Sequence, residues 1–329
     1  MRGDCVSEQK KGISRQREAL DLLKWLAAVI AIAGLLAWVG WRAWQDAQQV
    51  EWEGLRIRPG LVALSMACLA GAFFFHGLLW VRMMRGLGYR LGWVAGMRAC
   101  VLSQLGNYVP GKVLMMVFRA QVVRQHGLPG WPVASSVVLE TVLRNLVAAV
   151  VVALGLLELG SRLGETYGVA LVAFVIVSAT VAHPSVFQRL VGYLLRRLGR
   201  EPLPRRLSWL DTGLLLAGYF AYWALYVQGF RLLTLGTMGG EDAPSCALAV
   251  SLLLAQIGST LAVFAPVGLG VADATLEAML RLTGAVSAPG VLALVTRLWR
   301  TVTELAAIGL AWVLGAGSGA HGPSAGEKR

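Results

Sequence analysis

Residues 93–121 read WVAGMRACVLSQLGNYVPGKVLMMVFRAQ, an apolar stretch that is interrupted by Pro110, Gly111 and Lys112. Proline and glycine break helices, and a lysine is costly in hydrocarbon. Both flanks of the stretch are basic, which places both of them on the cytoplasmic side of a membrane. The pattern predicts a re-entrant hairpin, a segment that enters the bilayer and returns to the side from which it came.

The rest of the chain also has the composition of a membrane protein. Of its 329 residues, 57% are apolar and 15% are charged, and the mean hydropathy is +0.63. Soluble domains have about 45–50% apolar and about 25% charged residues, so an ordinary soluble enzyme is excluded. The net charge of +12 lies mostly between the apolar runs. We interpret it as the positive-inside pattern and expect no nucleic-acid partner.

Apolar runs long enough to cross about 30 Å of hydrocarbon as helices recur along the sequence. They are residues 25–44, 61–81, 133–157, 168–187, 214–235 and 291–314. A further apolar stretch, 246–282, is interrupted by APVGLG at 265–270 and predicts a second re-entrant hairpin. The sequence therefore predicts an all-α polytopic membrane protein with about six full spans and two broken hairpins.

The charges of the loops predict the orientation and the relation between the hairpins. We expect a basic cytoplasmic tail at 1–24, a single transmembrane domain at 25–314 and a disordered cytoplasmic tail at 315–329. Three spans separate the hairpins, so the second hairpin enters from outside. Pro266 follows Pro110 by the same number of positions as Arg300 follows Arg144. Together these features predict an inverted repeat, in which broken helices of the two halves form a substrate site.

Ionisable side chains inside the predicted spans are the main candidates for function. They are Glu140, Arg144, Arg297, Arg300 and Glu304. Each would cost about 2.5–3.5 kcal/mol facing lipid, so each must face protein, water or a headgroup. Several interpretations stay open. The charges form ion pairs between residues one turn apart, which fix helix packing, or they lie near span ends and reach outward to the interface. Alternatively, they line a cavity that receives a polar headgroup.

The first hairpin adds two basic residues, Lys112 and Arg119, at its cytoplasmic end. A half-helix that starts after Pro110 and Gly111 presents free backbone N–H groups beside them, which suits an anion such as phosphate. For Arg119 we favour a simpler interpretation, anchoring at the cytoplasmic surface by the positive-inside rule.

No pattern in the sequence indicates catalysis. The histidines are scattered, and the cysteines show no metal-ligand or disulfide spacing. The GxxxxGK pattern at 106–112 is followed by Val113 where a nucleotide-binding loop needs Ser or Thr. We expect no enzymatic step, no metal and no cofactor.

Three motifs resemble the flippase-like transmembrane family, which includes the membrane half of lysylphosphatidylglycerol synthase, the multiple peptide resistance factor. They are SQLGNYVPGK at 103–112 with Arg119 downstream, LET at 139–141 with Arg144, and PVGLGVADA at 266–274. The last motif departs from the expected PGGxGxRE, because Ala272 and Asp273 stand where Arg and Glu would be. The resemblance covers most of the chain, roughly from the first predicted span to the last.

The resemblance implies an integral protein of the cytoplasmic membrane of a prokaryote, linked to translocation of lipids or lipid-linked sugars. The chain ends shortly after its last span, so lipid aminoacylation, which a soluble domain of the synthase performs, is not expected. Expected partners are membrane lipids, anionic or polyprenyl-linked, and envelope-biosynthesis proteins. Two alternatives stay open: a scaffold of an envelope-polysaccharide or lipid-synthesis complex, and a membrane-embedded glycosyltransferase that uses Asp46, Glu51 and Glu53.

The leading hypothesis is flipping of an anionic lipid or lipid-linked sugar whose headgroup is held by intramembrane basic residues. The predicted substrate-binding residues are Lys112, Arg119, Glu140, Arg144, Arg297, Arg300 and Glu304. The predicted hairpin breaks are Pro110, Gly111, Pro266, Gly268 and Gly270. Secondary site residues are Tyr108, Asp273 and Glu277.

Overall fold

The structure is a computed structural model. It describes residues 57–108, 113–159, 161–197, 199–200, 203–205, 207–238, 244–261 and 271–316, and the single positions 41, 44 and 48. The chain forms two units, Met1–Val50 and Glu51–Arg329, and the described helices belong to the second. The predicted tail at 1–24, most of the predicted first span and residues 317–329 lie outside the described residues.

Every regular element in the described residues is helical, which confirms the predicted all-α class. The helices are α1 (Pro59–Gly86), α2 (Trp93–Leu102), α3 (Val113–Gln125), α4 (Pro132–Leu159), α5 (Ser161–Ala182), α6 (Pro184–Arg197), α7 (Trp209–Thr237), α8 (Ser245–Leu261), α9 (Val271–Thr283) and α10 (Pro289–Ala316). A 3-10 turn, Ser103–Tyr108, follows α2.

Three described helices, α1, α4 and α7, are long and apolar enough to cross a bilayer. They contain 28, 28 and 29 residues and therefore exceed about 30 Å at about 1.5 Å per residue. They enclose the predicted spans 61–81, 133–157 and 214–235. Helix α10 is equally long, but it carries three charged residues near its middle. The predicted number of six spans is thus not confirmed.

The predicted span 168–187 ends earlier than expected. Helix α5 stops at Ala182, and Gly168–Ala182 and Pro184–Arg197 form a bent pair with an angle of 72°. Pro184 has no N–H to continue the helix and disfavours a helical conformation at His183. The His183 ring instead accepts a hydrogen bond from the Ser185 N–H at 3.3 Å, so a new helix begins there. The apolar run therefore continues through a break in the helix.

Both predicted hairpin regions contain two helices that pack on each other. In the first, a Cβ atom placed on Gly106 would lie only 2.2 Å from the backbone nitrogen of Met115. Glycine is therefore required where the 3-10 turn passes over α3. In the second, α8 and α9 pack together around Gly258. The breaks, 109–112 and 262–270, lie outside the described residues, and with them lie Pro110, Gly111, Lys112, Pro266, Gly268 and Gly270.

Helices α1 and α7 form the most extensive helix pair, against which α4 and α10 also pack. Small residues on α7 allow the close approach, as is usual where helices meet in a membrane. A Cβ atom on Gly229 would lie 3.1 Å from the Ser65 carbonyl oxygen of α1, and one on Gly218 would collide with Leu79. The middle of α7 is therefore the centre of the described bundle.

Candidate functional site

A buried ion pair connects the first hairpin to the helix that follows it. Arg119 of α3 is 0% exposed and Glu140 of α4 is 2% exposed. The Arg119 Nη1 atom donates to Glu140 Oε2 at 2.5 Å, and Nη2 donates to Oε1 at 3.5 Å. A bidentate arrangement of this kind is the strongest geometry for an arginine and a carboxylate. The pair holds α3 against α4.

The other atoms of the Arg119 guanidinium are also satisfied. Its Nε donates to Ser103 Oγ at 2.9 Å, and Nη2 donates to Cys100 Sγ at 3.1 Å. The guanidinium carbon lies 4.9 Å from the centre of the Trp80 ring, in a cation–π contact. One arginine therefore contacts α1, α2, the 3-10 turn and α4 at the same time.

Glu140 has a second basic neighbour, His76 of α1. The His76 Nε2 atom lies 2.9 Å from Glu140 Oε1, and both side chains are buried. The His76 ring also contacts the rings of Tyr219 and Tyr222, with centroids 6.3 and 5.4 Å away. We call His76, Arg119 and Glu140 the buried charge cluster. All three side chains are buried, and Glu140 lies in contact with both basic groups.

Two interpretations from the sequence are wrong at this cluster. Arg119 does not anchor the chain at the cytoplasmic surface, because its guanidinium is fully buried against an acid. Glu140 does not pair with Arg144 one turn away, because its carboxylate contacts α3 and α1 instead. The compensating charge comes from other helices, which spacing within one helix cannot reveal.

A second group of charges lies at the middle of α7. Arg144 of α4 and Arg300 of α10 are both half-buried, and both lie on helices that pack against α7. We call Arg144 and Arg300 the central arginines. Glu304, one turn after Arg300 on α10, is buried.

Direct contacts hold the backbone of the central arginines against α7. The Trp223 Nε1 atom donates to the Arg144 carbonyl oxygen at 2.9 Å. The Trp299 ring, next to Arg300, meets the Tyr226 ring edge to face at 5.9 Å between centroids. Arg300 Nη1 also donates to Gln256 Oε1 of α8 at 3.4 Å. The segments of α4 and α10 that carry the central arginines thus contact neighbouring turns of α7.

This region has polar groups without partners. The hydroxyl groups of Tyr219 and Tyr226 are buried, and neither has a hydrogen-bond partner among the described residues. Buried phenol groups normally have one. Together with the half-buried central arginines, they could donate hydrogen bonds to an anionic headgroup.

The remaining predicted residues of the second half lie nearer the surface. Asp273 of α9 and Arg297 of α10 form an ion pair at 2.8 Å, with side chains 33% and 18% exposed. Glu277 forms an exposed pair with Arg281 of its own helix at 2.7 Å. Glu277 therefore does not belong to the interior group. The side chain of Tyr108 lies outside the described residues.

Several residues of these groups were missed by sequence reasoning. His76 was set aside among scattered histidines, and no local pattern distinguishes it. Tyr219, Tyr222 and Tyr226 do carry a signal, since spacings of three and four residues place them on one face of a helix. Arg231, a further basic residue within α7, was not considered either.

The described residues define a class: an integral membrane protein of several helices whose interior contains charged side chains. A family model described as the lysylphosphatidylglycerol synthase TM region matches residues 24–309. The match covers most of the chain, so the protein belongs to this family, and the predicted resemblance is confirmed. A comparison with curated proteins finds no match. Family membership and apolar helices together indicate a membrane protein with a lipid-related function.

Proposed function

We propose that the protein translocates an anionic lipid or a phosphate-bearing lipid-linked sugar across the cytoplasmic membrane, without an enzymatic step. The observation that carries this proposal is that Arg144 and Arg300, both half-buried, lie where α4 and α10 contact Trp223 and Tyr226 of α7. Their headgroup ligand would cross at this depth, while its acyl or prenyl chains remain in the surrounding lipid.

The exposure of the charges distinguishes binding residues from packing residues. Arg119 and Glu140 are closed off and satisfy each other, so they have nothing left to offer a ligand. Arg144 and Arg300 are only half-buried, so each residue keeps part of its surface exposed. Arginine forms bidentate hydrogen bonds with phosphate, and these are strongest where water is scarce. A phosphate between the central arginines would offset the cost of holding two cations inside a membrane.

We further propose that the two halves are an inverted repeat. Each half has the order long helix, hairpin pair, long helix: α1, α2–α3 and α4, then α7, α8–α9 and α10. In each half an ion pair ties the returning arm of the hairpin to the next long helix, Arg119 to Glu140 and Asp273 to Arg297. Glu140 and Arg297 each lie eight residues after the proline that opens the helix. The polarity of the pair is reversed between the halves.

The orientation with both termini in the cytoplasm is part of the same proposal. It rests on the positive-inside pattern of the loops. Lys112 remains a predicted headgroup residue at the mouth of the first hairpin, outside the described residues.

The proposal is tested by reconstituting the protein in liposomes with two labelled probes, phosphatidylglycerol and a polyprenyl phosphate. We expect Arg144→Gln and Arg300→Gln each to lower the rate of probe translocation about 10- to 100-fold, because each removes a charge-assisted hydrogen bond worth about 1.5–3 kcal/mol. Arg281→Gln, an exposed arginine of α9, is the matched control and should transport at the wild-type rate.

Mass spectrometry of co-purified lipids identifies the substrate. An anionic lipid enriched in wild-type protein but not in the Arg144→Gln/Arg300→Gln variant would support the proposal. Wild-type translocation of both probes by both single variants would refute the central arginines as the headgroup site.

A scaffold function is the second candidate, and a specific observation favours it. Four of the intramembrane and hairpin charges form the pairs Arg119–Glu140 and Asp273–Arg297. These pairs fix helix packing and are not ligand-binding groups. A scaffold would co-purify with envelope-biosynthesis proteins, and Arg144→Gln would not change its function. The acids required by the glycosyltransferase alternative, Asp46, Glu51 and Glu53, lie outside the described residues.

A further inference from the structure

Helix α6 has the placement of an interfacial helix. It bends by 72° from the apolar segment Gly168–Ala182, so if that segment crosses the bilayer, α6 runs close to the membrane plane. At its start, the His183 ring packs edge to face on Trp209, 4.7 Å between centroids, at the first turn of α7. Aromatic side chains of this kind are typical of the membrane–water boundary.

The sequence of α6 divides its surface into three sectors. Phe187, Val191 and Leu195 are buried and pack against the protein. Leu190, Tyr193 and Leu194 are 45–49% exposed and form an apolar sector beside the first, at the end of which the Arg197 guanidinium lies over the Tyr193 ring. A helix with this division lies with its apolar side in the acyl boundary of a membrane and its polar side among headgroups.

The third sector is a basic groove with a volume of about 330 Å³. Residues at helical spacing line it, which places them on one face. They are Ser185, Gln188, Arg189, Gly192 and Arg196. The Gln188 Nε2 atom is buried and has no hydrogen-bond partner in the described part of the chain. The groove therefore offers two exposed guanidinium groups, beside this amide donor.

The arginines of the groove differ from two nearby arginines, Arg82 and Arg205, in having no acidic partner within the described chain. Neither Arg189 nor Arg196 forms an ion pair with an acid among the described residues. Arg82 and Arg205, by contrast, lie 3.2 and 3.9 Å from the Asp211 carboxylate. The positive charge in the groove is thus uncompensated within the described structure, and it lies next to an apolar sector.

We infer that this groove binds the phosphate of an anionic phospholipid of the adjacent leaflet, at a site separate from the central arginines. Arg189 and Arg196 hold the phosphate oxygens, and the Gln188 amide donates a further hydrogen bond. The acyl chains lie against the apolar sector formed by Leu190, Tyr193 and Leu194. A free phosphate ion would use the arginines but not that sector, which is why we assign a lipid.

The experiment uses the full-length protein with a photo-crosslinking benzoylphenylalanine in place of Leu190, beside the groove but not lining it. Vesicles contain clickable phosphatidylglycerol in one set and clickable phosphatidylcholine in the other. We expect crosslinking to phosphatidylglycerol to exceed that to phosphatidylcholine about 30-fold at equal lipid concentration. Each of the two arginines raises the affinity for an anionic lipid roughly fivefold, and the two factors multiply.

Two variants probe the site by different means. Arg189→Gln/Arg196→Gln removes the charges and should abolish the preference for phosphatidylglycerol. Gly192→Leu keeps the charges but fills the groove, and its Cβ atom would lie in open space, since no atom lies within 4 Å of that position. It should also reduce the preference. Arg90→Gln/Arg124→Gln, two exposed arginines elsewhere, is the control of equal charge and should keep it.

The outcomes separate this site from the central arginines, because the crosslink reports only on the surroundings of α6. Equal crosslinking of the two lipids, or an equal loss in the Arg90→Gln/Arg124→Gln control, would overturn the inference. Competition by soluble glycerol phosphate as effective as that by unlabelled phosphatidylglycerol vesicles would show a site for free phosphate and would also overturn it. Loss of preference in Gly192→Leu with an unchanged control would support it, whatever the rate of lipid translocation.

Discussion

Replacing Glu140 by glutamine tests how much the buried charge cluster contributes to stability. Glutamine keeps the shape of the side chain, so the substitution leaves no cavity. It removes the negative charge that faces both Arg119 and His76. The guanidinium of Arg119 would then be fully buried with only neutral partners, Ser103, Cys100 and the Trp80 ring, among the described residues.

The magnitude follows from the burial. Removing one partner of a buried pair costs about 3–5 kcal/mol, because the other charge is left uncompensated. The exposed pair Glu277–Arg281 has a similar distance, 2.7 Å, but its side chains are 41% and 71% exposed. An exposed pair one helical turn apart contributes about 0.3–0.5 kcal/mol. We therefore expect the loss in free energy of unfolding to be at least about six times larger for Glu140→Gln than for Glu277→Gln.

The assay is reversible unfolding in mixed micelles by titration with sodium dodecyl sulfate, followed by far-UV circular dichroism. Glu277→Gln is the matched control, since it makes the same chemical change in a solvated pair. The double variant Arg119→Met/Glu140→Leu removes both charges while keeping apolar volume. It should recover at least half of the loss, because no guanidinium is left without its carboxylate and His76 can become neutral by losing its proton.

Equal stability of Glu140→Gln and Glu277→Gln would refute the reasoning. It would mean that the Arg119 guanidinium finds water or another anion in the folded protein. A double variant less stable than Glu140→Gln would contradict it in a different way. The neighbouring groups would then depend on the pair for their geometry, and charge compensation would not be the main effect.

Two further predictions concern packing in the hairpins. Gly106→Ala should lower the free energy of unfolding by about 2–3 kcal/mol in the same titration, because the new methyl group would meet the Met115 backbone. The control Gly71→Ala, in open space on α1, should change it by less than about 0.5 kcal/mol. Similar values for both variants would contradict the close packing at Gly106. Asp273→Arg and Arg297→Asp should each destabilise the protein by about 1 kcal/mol, and the double exchange should restore stability; a double variant as unstable as the sum of the singles would show that the pair does not couple.

The long helices were predictable because their apolar runs match the thickness of a bilayer. The limits of α1, α4 and α7 follow the runs at 61–81, 133–157 and 214–235, with a few extra residues at each end. The end of α5 was misjudged because apolar residues continue to Phe187. Pro184 was the better signal, since a proline acts on backbone geometry whatever the hydropathy of its neighbours.

The charged residues of the interior were also predictable, but their partners were not. A charge within an apolar run is visible in the sequence because it is costly there. Its partner is visible only when both residues share a helix face. Arg119 and His76 reach Glu140 from separate helices, and Asp273 reaches Arg297 in the same way. Contacts between helices depend on how the bundle packs, which a pattern within one helix does not encode.

The pairing of these charges bears on the proposed anionic ligand. Arg119 with Glu140 and Arg297 with Asp273 are each neutral as pairs, whichever half supplies the acid. Of the intramembrane charges predicted from the sequence, Arg144, Arg300 and Glu304 lie outside these two pairs. Two cations and one anion leave an excess of positive charge. A ligand with a single negative charge, such as a phosphate diester, would neutralise that excess, whereas a zwitterionic headgroup would leave it in place.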